Sequence, residues 1–402
     1  MCSSDLPPSH LPRIGRRGLL LGLTSLAVAN NSRLAFGAGP AGDARLVVIL
    51  LRGAMDGLAV VQAYGEPGWR DLRGPLALPE PGQPGGLLDL GGKFGLHPKL
   101  ANMHRIYREN GLLIVHAAAG PYRSRSHFDA QDMLESGADQ RLSSGWLNRA
   151  LAARPETAAH ARTGLVVGLD LPLLMRGNVP VAMYAAARSA RPDPDLYARL
   201  MELNHEDPVI GPAMAEGMRA RGMSTDLLGG TKQQRSGFTD LAEAAGRMLG
   251  AANGPRVAAL EIGGWDTHDA QMGRLNGPLA QLDGGLAALQ ATLGPAWKHT
   301  AVLVMTEFGR TVRANGSAGT DHGTAGVAFL AGGAIAGGRI GGDWPGLSPN
   351  NLYENRDLQP TTDLRSLAKG LLVNHLKLPP RAIAAAFPGS EGVEADGRLL
   401  AS

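Results

Sequence analysis

Acidic side chains and histidines recur in five short segments of the 402-residue chain, each beside a run of apolar residues. The candidate metal ligands are Asp56, Glu261, Asp266, His268, Glu307, Asp321 and His322. Carboxylate oxygens and imidazole nitrogens bind hard and borderline divalent cations, such as zinc, magnesium, calcium or manganese. The only cysteine is Cys2, which excludes thiolate metal sites and cysteine nucleophiles from the rest of the chain. These residues therefore predict one or two divalent metal ions as the cofactor.

The segment from Pro121 to Asp129 combines groups that could bind and attack an anionic ester. A helix beginning at His127 would have Ser126 as its N-cap and would direct unpaired N–H groups at an anion. Guanidinium groups pair with phosphate or sulfate through two hydrogen bonds, and the candidates for this role are Arg123, Arg125 and Arg310. The predicted catalytic residues are Ser126 as the attacking group, Ser124 as its substitute and His127 beside them. A metal-bound water is a third candidate for the attacking group. In the alternative interpretation, Ser126 only caps the helix and the arginines are solvated.

The spacing of two candidate ligands supports a shared site. Asp266 and His268 are separated by one residue, so in an extended segment their side chains point to the same face. Taken alone, an Asp or Ser after a strand is most often a helix cap or a turn former. The prediction therefore depends on several segments meeting at the edge of a sheet where α/β proteins bind their ligands.

Seven short apolar runs predict the strands of such a sheet: Arg45 to Leu51, Leu112 to Ala117, Leu165 to Leu169, Val181 to Tyr184, Val257 to Ile262, Ala301 to Met305 and Val327 to Ala331. Their near-continuous apolar character is typical of parallel strands that are buried on both faces. Amphipathic segments predict helices at His127 to Ser136, Thr239 to Leu249, Leu279 to Leu293 and Asp363 to Leu376. We therefore expect an α/β fold, a three-layer sandwich with a mostly parallel central sheet. Residues 39–402 would form one domain, with a helical insertion at 188–254.

The first 38 residues resemble an export signal. Arg16 and Arg17 precede a mildly apolar run from Gly18 to Ala29, and a small-residue stretch ending near Ala38 provides a cleavage site. Paired arginines at this position indicate twin-arginine export, with the translocase as a transient partner. We expect a periplasmic or other extracytoplasmic location, and no stable membrane span in the mature chain, because spanning takes about 20 apolar residues.

Composition limits the classes of partner. Aromatic residues make up only 4% of the chain, which argues against the flat stacking platforms used by many nucleic-acid and sugar-binding proteins. The formal net charge of +3 is carried by the export signal, and the remainder has equal numbers of acidic and basic side chains. We therefore expect a small anionic ester as substrate and no nucleic-acid partner.

The same motifs carry a resemblance to a known family. The matching stretches are Arg52 to Leu58, Ser124 to Gly137, Gly145 to Leu147, Gly263 to Gln271, Thr306 to Thr311 and Thr320 to Gly342. There the sequence resembles the exported family known as domain of unknown function 1501, which is grouped with the alkaline phosphatase and sulfatase-like superfamily. The resemblance covers nearly the whole mature chain. It implies an alkaline phosphatase-like fold and metal-dependent hydrolysis or transfer of phosphate or sulfate esters by a Ser, Thr or modified Cys nucleophile.

The resemblance also implies individual roles. Its metal ligands would be Asp56 after the first strand, Glu261 paired with Asp266, His268 after them, Glu307 at a strand end and the late His322. Phe308 stands where the superfamily often has a histidine, so a second metal ion would lack a ligand unless Asp321 or His127 replaces it. Two functions remain open: a periplasmic metal-dependent hydrolase of phosphate or sulfate esters, or a non-catalytic exported protein that binds metal or assists assembly.

Overall fold

The seven predicted strands all form, with ends within two residues of the predicted ones. The computed structural model describes residues 43–153, 164–168, 170–185 and 237–401. The predicted export signal and residues 188–236 of the predicted insertion lie outside the described residues. The strands are β1 (Arg45–Leu51), β2 (Val61–Gln62), β3 (Leu88–Asp89), β4 (Gly95–Leu96), β5 (Leu112–Ala119), β6 (Gly164–Val167), β7 (Val181–Tyr184), β8 (Val257–Ile262), β9 (Thr300–Thr306), β10 (Gly326–Ala331), β11 (Arg339–Gly341), β12 (Leu352–Tyr353), β13 (Asp357–Leu358) and β14 (Thr362–Asp363).

The central sheet is mostly parallel, as predicted. Its strands lie in the order β11-β5-β10-β9-β1-β8-β6-β7, and β14 also pairs with β5. Only β10 among these described strands runs against its neighbours, β5 and β9. Leu51 at the end of β1 lies level with Ile262 of β8 and with Thr306 of β9. The loops after these three strands therefore begin at one edge, which we call the rim.

Helices cover both faces of the sheet. They are α1 (Gly57–Val60), α2 (Trp69–Arg73), α3 (Ala101–Arg108), α4 (His127–Ser136), α5 (Trp146–Ala152), α6 (Phe238–Gly250), α7 (Gln271–Arg274), α8 (Asn276–Leu293), α9 (Leu364–Gly370) and α10 (Pro380–Ala386). The segment predicted as one helix from Asp363 to Leu376 is α9 followed by a π-helical turn at Leu371–His375. Among the described helices, none combines the length and the hydropathy needed to cross a membrane.

The core consists of two apolar layers separated by the sheet. Val47, Ile49 and Leu51 of β1 pack with apolar side chains of α3, α6 and α8 on one face. The alternate residues of β1 pack with side chains of α5, α9 and α10 on the other face. Because successive strand residues point to opposite faces, a continuous apolar run supplies both layers. This arrangement is the predicted three-layer α/β sandwich, and it holds the rim loops on a buried platform.

Candidate metal centre

Four segments of the chain meet at the rim. The loop after β8 carries Asp266 and His268, whose side chains are half exposed, while the intervening Thr267 is fully buried. His127 is the first residue of α4, and its N-cap Ser126 has an extended backbone. His322 precedes β10 and forms an isolated antiparallel bridge with Arg310 of the loop after β9. β10 is antiparallel to its neighbours β5 and β9. A residue that precedes β10 therefore lies at the rim, as do the residues that follow the parallel strands.

Three histidine side chains converge on one carboxylate oxygen. His322 Nε2 lies 3.0 Å from His127 Nε2 and 3.0 Å from His268 Nε2. Asp266 Oδ1 lies 3.1 Å from His268 Nε2, 3.4 Å from His322 Nε2 and 3.7 Å from His127 Nε2. We call these four residues the histidine cluster. The structure thus brings together three of the predicted metal ligands with His127, which was predicted as a catalytic residue or a replacement ligand.

The other nitrogen of each ring faces an oxygen. His127 Nδ1 lies 2.8 Å from Glu307 Oε1, and His322 Nδ1 lies 3.0 Å from the Arg125 carbonyl oxygen. His268 Nδ1 faces Asp321 Oδ1 at 3.5 Å. Carboxylate and carbonyl oxygens only accept hydrogen bonds, so each neutral ring carries its proton on Nδ1. This leaves three Nε2 lone pairs directed at one another and at Asp266.

The convergence of lone pairs fits a cation. Unprotonated nitrogens 3.0 Å apart repel one another unless a proton or a metal ion lies between them, and Nδ1 bonds to carboxylates are typical of metal-binding histidines. A tetrahedral ion with metal–nitrogen bonds near 2.0 Å separates its ligand atoms by about 3.3 Å, close to the distances in the cluster. Within the described residues, His127, Asp266 and His322 form a group whose ligand atoms all lie within 4.8 Å of one another. The donor set therefore suits a borderline divalent cation.

Electrostatic effects keep Asp266 ionised and shift the pKa values of His127 and His322 in opposite directions. Burial raises the pKa of Asp266, but the hydrogen bond and charge of Arg310, with the nearby histidines, outweigh burial and lower it. The hydrogen bond to Glu307 raises the pKa of His127. Burial, followed by repulsion from a charged His127, lowers the pKa of His322. Phe308 packs against both of these rings, at centroid distances of 4.9 and 5.2 Å.

Arg310, which was predicted to bind an anion, makes its contacts with protein groups. Its side chain has no exposed surface, and four of its five N–H donors have oxygen acceptors within the protein. These acceptors are the carbonyl oxygens of Gly53, Ala54 and Thr320 and the carboxylate of Asp266. The fifth donor faces His268 Nε2 at 3.4 Å.

Glu307 and Asp321, which were predicted as direct metal ligands, contact the Nδ1 atoms of His127 and His268. Glu307 accepts hydrogen bonds from His127, Gln131 and the Gly53 N–H through Oε1, and from Thr306 through Oε2. Burial raises the pKa of Glu307, but these hydrogen bonds outweigh it and lower the pKa to about 2. Asp321 orients His268 from an exposed position, and the hydrogen bond from Asn315 lowers the pKa of Asp321.

Asp56, which was predicted as a metal ligand, makes hydrogen bonds with protein groups through both oxygens. It is 1% exposed, and Oδ1 accepts hydrogen bonds from the N–H groups of Leu58 and Ala59 at the start of α1. Oδ2 accepts from Arg73 and from Gln271. Four donors saturate the two oxygens, so Asp56 has no lone pair left for an ion. The helix-cap interpretation applies to this residue.

Glu261, which was predicted as a metal ligand, belongs to a separate group of charges. Arg52 donates to Glu261 and, through Nη1, to Glu135 at 2.5 Å. Glu135 also accepts from the Leu174 N–H at 2.8 Å. We call Arg52, Glu135 and Glu261 the ion cluster. Burial raises the pKa of Glu261, and the arginine opposes this effect.

The segment before α4 carries the two serines predicted to attack the ester and two of the arginines predicted to bind the anion. Within the described residues, neither Ser124 nor Ser126 makes a hydrogen bond to a histidine, and the Ser126 side chain makes no cap bond. Arg125 pairs with Asp357 and Glu354, so its side chain is already neutralised. Arg123 donates through Nη1 to two carbonyl oxygens. Its Nε and Nη2 have no partner among the described residues, so it is the arginine left available for an anion.

Sequence reasoning missed the residues that hold the cluster in shape. Gln131, four residues after His127 on α4, donates to Glu307 at 2.9 Å, and the helical spacing is the signal that could have identified it. Gly53 has a φ of +117°, and a Cβ there would lie 2.6 Å from the Asp266 nitrogen. Only glycine allows this approach. The Arg125 carbonyl leaves no signal in the sequence.

Comparison with known proteins gives a family and distant structural similarity. A family model described as a protein of unknown function, DUF1501, matches residues 113–387. The match includes all four residues of the histidine cluster and omits Asp56. No curated protein matches the sequence significantly.

Several solved structures have a similar arrangement of elements at very low sequence identity. The C-terminal periplasmic domain of EcEptC from Escherichia coli, in complex with Zn, is 10% identical over 74% of this chain and 75% of that chain, with a TM-score of 0.33. A protein in the alkaline phosphatase superfamily from Vibrio parahaemolyticus is 12% identical over 78% and 69%, with a TM-score of 0.33. The lipoteichoic acid synthase LtaP from Listeria monocytogenes is 7% identical over 89% and 78%, with a TM-score of 0.36. Similarity of this degree assigns neither a substrate nor a metal to the chain.

Proposed function

The chain belongs to the DUF1501 family of proteins of unknown function, and we propose that it is an exported, metal-dependent hydrolase of phosphate or sulfate esters. The observation that carries the proposal is the convergence of three imidazole Nε2 atoms on Asp266 Oδ1, at separations of 3.1 to 3.7 Å. The ester class is supported by the resemblance of the motifs. The extracytoplasmic location is supported by Arg16 and Arg17 before an apolar run.

Each residue has a defined part in this proposal. His127, Asp266, His268 and His322 would hold the cation. A bound divalent cation neutralises ester oxygens and lowers the pKa of an attacking hydroxyl. Glu307 keeps the proton of His127 on Nδ1, and Arg310 keeps Asp266 ionised. The cluster lies at the N-terminus of α4, where unpaired N–H groups favour an anion.

A second candidate function is a non-catalytic exported metal-binding protein. It is favoured by the absence, among the described residues, of a hydrogen bond between Ser124 or Ser126 and a general base. The engagement of Arg125 and Arg310 by protein groups also favours it, because it leaves Arg123 to balance charge that develops on a substrate.

The test combines metal analysis with turnover. The full chain is purified, its metal content is measured, and the metal is removed and replaced by zinc, manganese, magnesium or calcium. Hydrolysis of a panel of phosphate and sulfate esters is then compared for the wild type and Asp266→Ala. We expect about one equivalent of bound metal and turnover that requires both the metal and Asp266.

Three outcomes separate the candidates. Turnover that is unchanged in Asp266→Ala would refute the proposed mechanism. Tight metal retention without turnover of any ester would favour the non-catalytic function. A wild-type protein that takes up none of the four metals would overturn both.

A further inference from the structure

Two threonines stand next to the ligands of the histidine cluster and point away from it. Thr267 lies between Asp266 and His268, and Thr320 comes two residues before His322. Both threonines are fully buried. The Thr320 N–H donates to the Thr267 carbonyl oxygen at 3.2 Å, so the two ligand-bearing segments run side by side. Their buried hydroxyl groups must find acceptors, because an unpaired polar group in the interior is costly.

One amide oxygen accepts both hydroxyl groups. Thr267 Oγ1 donates to Gln271 Oε1 at 2.9 Å, and Thr320 Oγ1 donates to the same oxygen at 2.6 Å. Gln271 is fully buried, and its Nε2 donates to Asp56 Oδ2 at 2.6 Å. The carboxylate can only accept, so the orientation of the amide group is fixed. We call Thr267, Gln271 and Thr320 the clamp.

The clamp is anchored in a rigid part of the fold. Asp56, which receives the Gln271 amide, is held by two N–H groups of α1 and by Arg73, whose side chain is fully buried. Arg73 also donates to the carbonyl oxygens of Thr311 and Val312 in the loop that follows Arg310. A displacement of either threonine would therefore break a buried network that reaches three segments of the rim.

We propose that the clamp positions the metal ligands, by fixing the distance between the segment that carries Asp266 and His268 and the segment that carries His322. This proposal rests on the proposed function, and it adds Thr267, Thr320 and Gln271 as positioning residues. Without the clamp, the backbone hydrogen bond from Thr320 to Thr267 remains, but the two segments lose the side-chain hydrogen bonds that hold them at a fixed separation. The spacing between His268 Nε2 and His322 Nε2 is then less tightly imposed by the protein. Outer contacts of this kind typically contribute tenfold to a hundredfold to metal affinity.

The test uses substitutions that either remove or retain the two hydroxyl groups. The double variant Thr267→Val and Thr320→Val removes both hydroxyl donors, whereas Thr267→Ser and Thr320→Ser retains them. Thr300→Val is the matched control, because Thr300 is equally buried but donates to the Ala296 carbonyl at the opposite end of β9. For each full-length variant, the affinity for Zn²⁺ is measured by competition, the visible spectrum of the Co²⁺-loaded protein is recorded, and stability is measured by urea unfolding.

We expect the valine double variant to bind Zn²⁺ roughly tenfold or more weakly and to show an altered Co²⁺ spectrum. The serine double variant should stay within about twofold of the wild type, and Thr300→Val should lose stability without a change in affinity or spectrum. If the double variant does not fold, the single valine variants replace it, each with an expected loss of roughly threefold. Wild-type affinity and spectrum in the valine variants would refute the proposed role of the clamp without contradicting the proposed metal centre. Failure of the wild type to bind either metal would overturn both.

Discussion

The histidine cluster and the ion cluster lie at the same rim, and Glu261 of the ion cluster was predicted as a metal ligand paired with Asp266. The chemistry of the two clusters nevertheless differs. In the ion cluster, Arg52 supplies donors to both carboxylates, so each carboxylate has a cationic partner within the protein. In the histidine cluster, the outer nitrogens are fixed by acceptors, so lone pairs face inward without enough donors. The comparison teaches that a candidate metal site is identified by unmatched lone pairs, and the number of nearby carboxylates is a poor guide.

The largest expected difference between the two clusters is in metal affinity. Asp266→Asn removes the charged ligand on which the histidines converge, and we expect affinity for Zn²⁺ to fall at least about 100-fold, since even outer contacts contribute up to that much. Glu261→Gln neutralises the matched carboxylate of the ion cluster and should leave affinity unchanged. Competition titration with a chromogenic chelator measures both. An equal loss in the two variants would mean that the clusters form one site.

The ion cluster should contribute to stability. Arg52→Met leaves Glu135, whose side chain is 4% exposed, without its cation. Removing one partner of a buried pair costs several kcal/mol, and partial exposure of Arg52 and Glu261 reduces this to about 2.5 kcal/mol. Urea unfolding measures the change. Arg105→Met is the control, because Arg105 pairs with Glu109 on the exposed surface of α3, and we expect it to cost less than about 1 kcal/mol.

A third histidine environment extends the comparison. His116 in β5 is 1% exposed, neither ring nitrogen has a hydrogen-bond partner among the described residues, and the ring stacks on Phe94 at 5.0 Å. Burial lowers the pKa of His116 from 6.5 to about 3. The unfolded chain therefore binds a proton that the folded protein does not bind, and the wild type loses stability as pH falls from about 6.5 towards 3.

Replacing this histidine should remove the pH dependence it causes. His116→Phe keeps an aromatic ring against Phe94 and lacks the titrating group. Between pH 7 and pH 5, we expect the unfolding free energy of the variant to rise by about 2 kcal/mol relative to that of the wild type. Urea unfolding at the two pH values measures this difference. A constant difference would show that His116 takes up its proton at the same pH in the folded protein and in the unfolded chain.

The smallest effect is expected at the start of α4. Ser126→Ala removes a hydroxyl that makes no cap bond and no contact with the histidine cluster among the described residues. We expect unfolding free energy to change by less than about 0.5 kcal/mol and Zn²⁺ affinity to stay within about twofold. A loss of ester turnover with unchanged affinity would assign the attacking hydroxyl to Ser126. A large loss of affinity would place this serine among the ligands.

The fold could be predicted well because buried parallel strands are apolar on both faces, as in β1. The alternation along residues 265–268 was also predictable from the sequence. Trp265 and Thr267 are buried, whereas the candidate ligands Asp266 and His268 are half exposed. Strand parity gives the direction of Glu261, which is that of Val257 and Ala259 of β8, but it does not indicate the pairing with Arg52. The contacts of Asp56 were not predictable, because Arg73 and Gln271 reach it from other segments.

The reversed direction of β10 has a consequence for when the protein can acquire its cation. His127 and His322 are 195 positions apart in the chain and meet only when β5, β10 and β9 have all assembled. An unfolded chain offers scattered imidazoles with no common centre, so tight binding must await a completed tertiary structure. A cell that exports this protein in its folded state would thus have to load the ion in the cytoplasm, where the choice of metal would be governed by cytoplasmic supply.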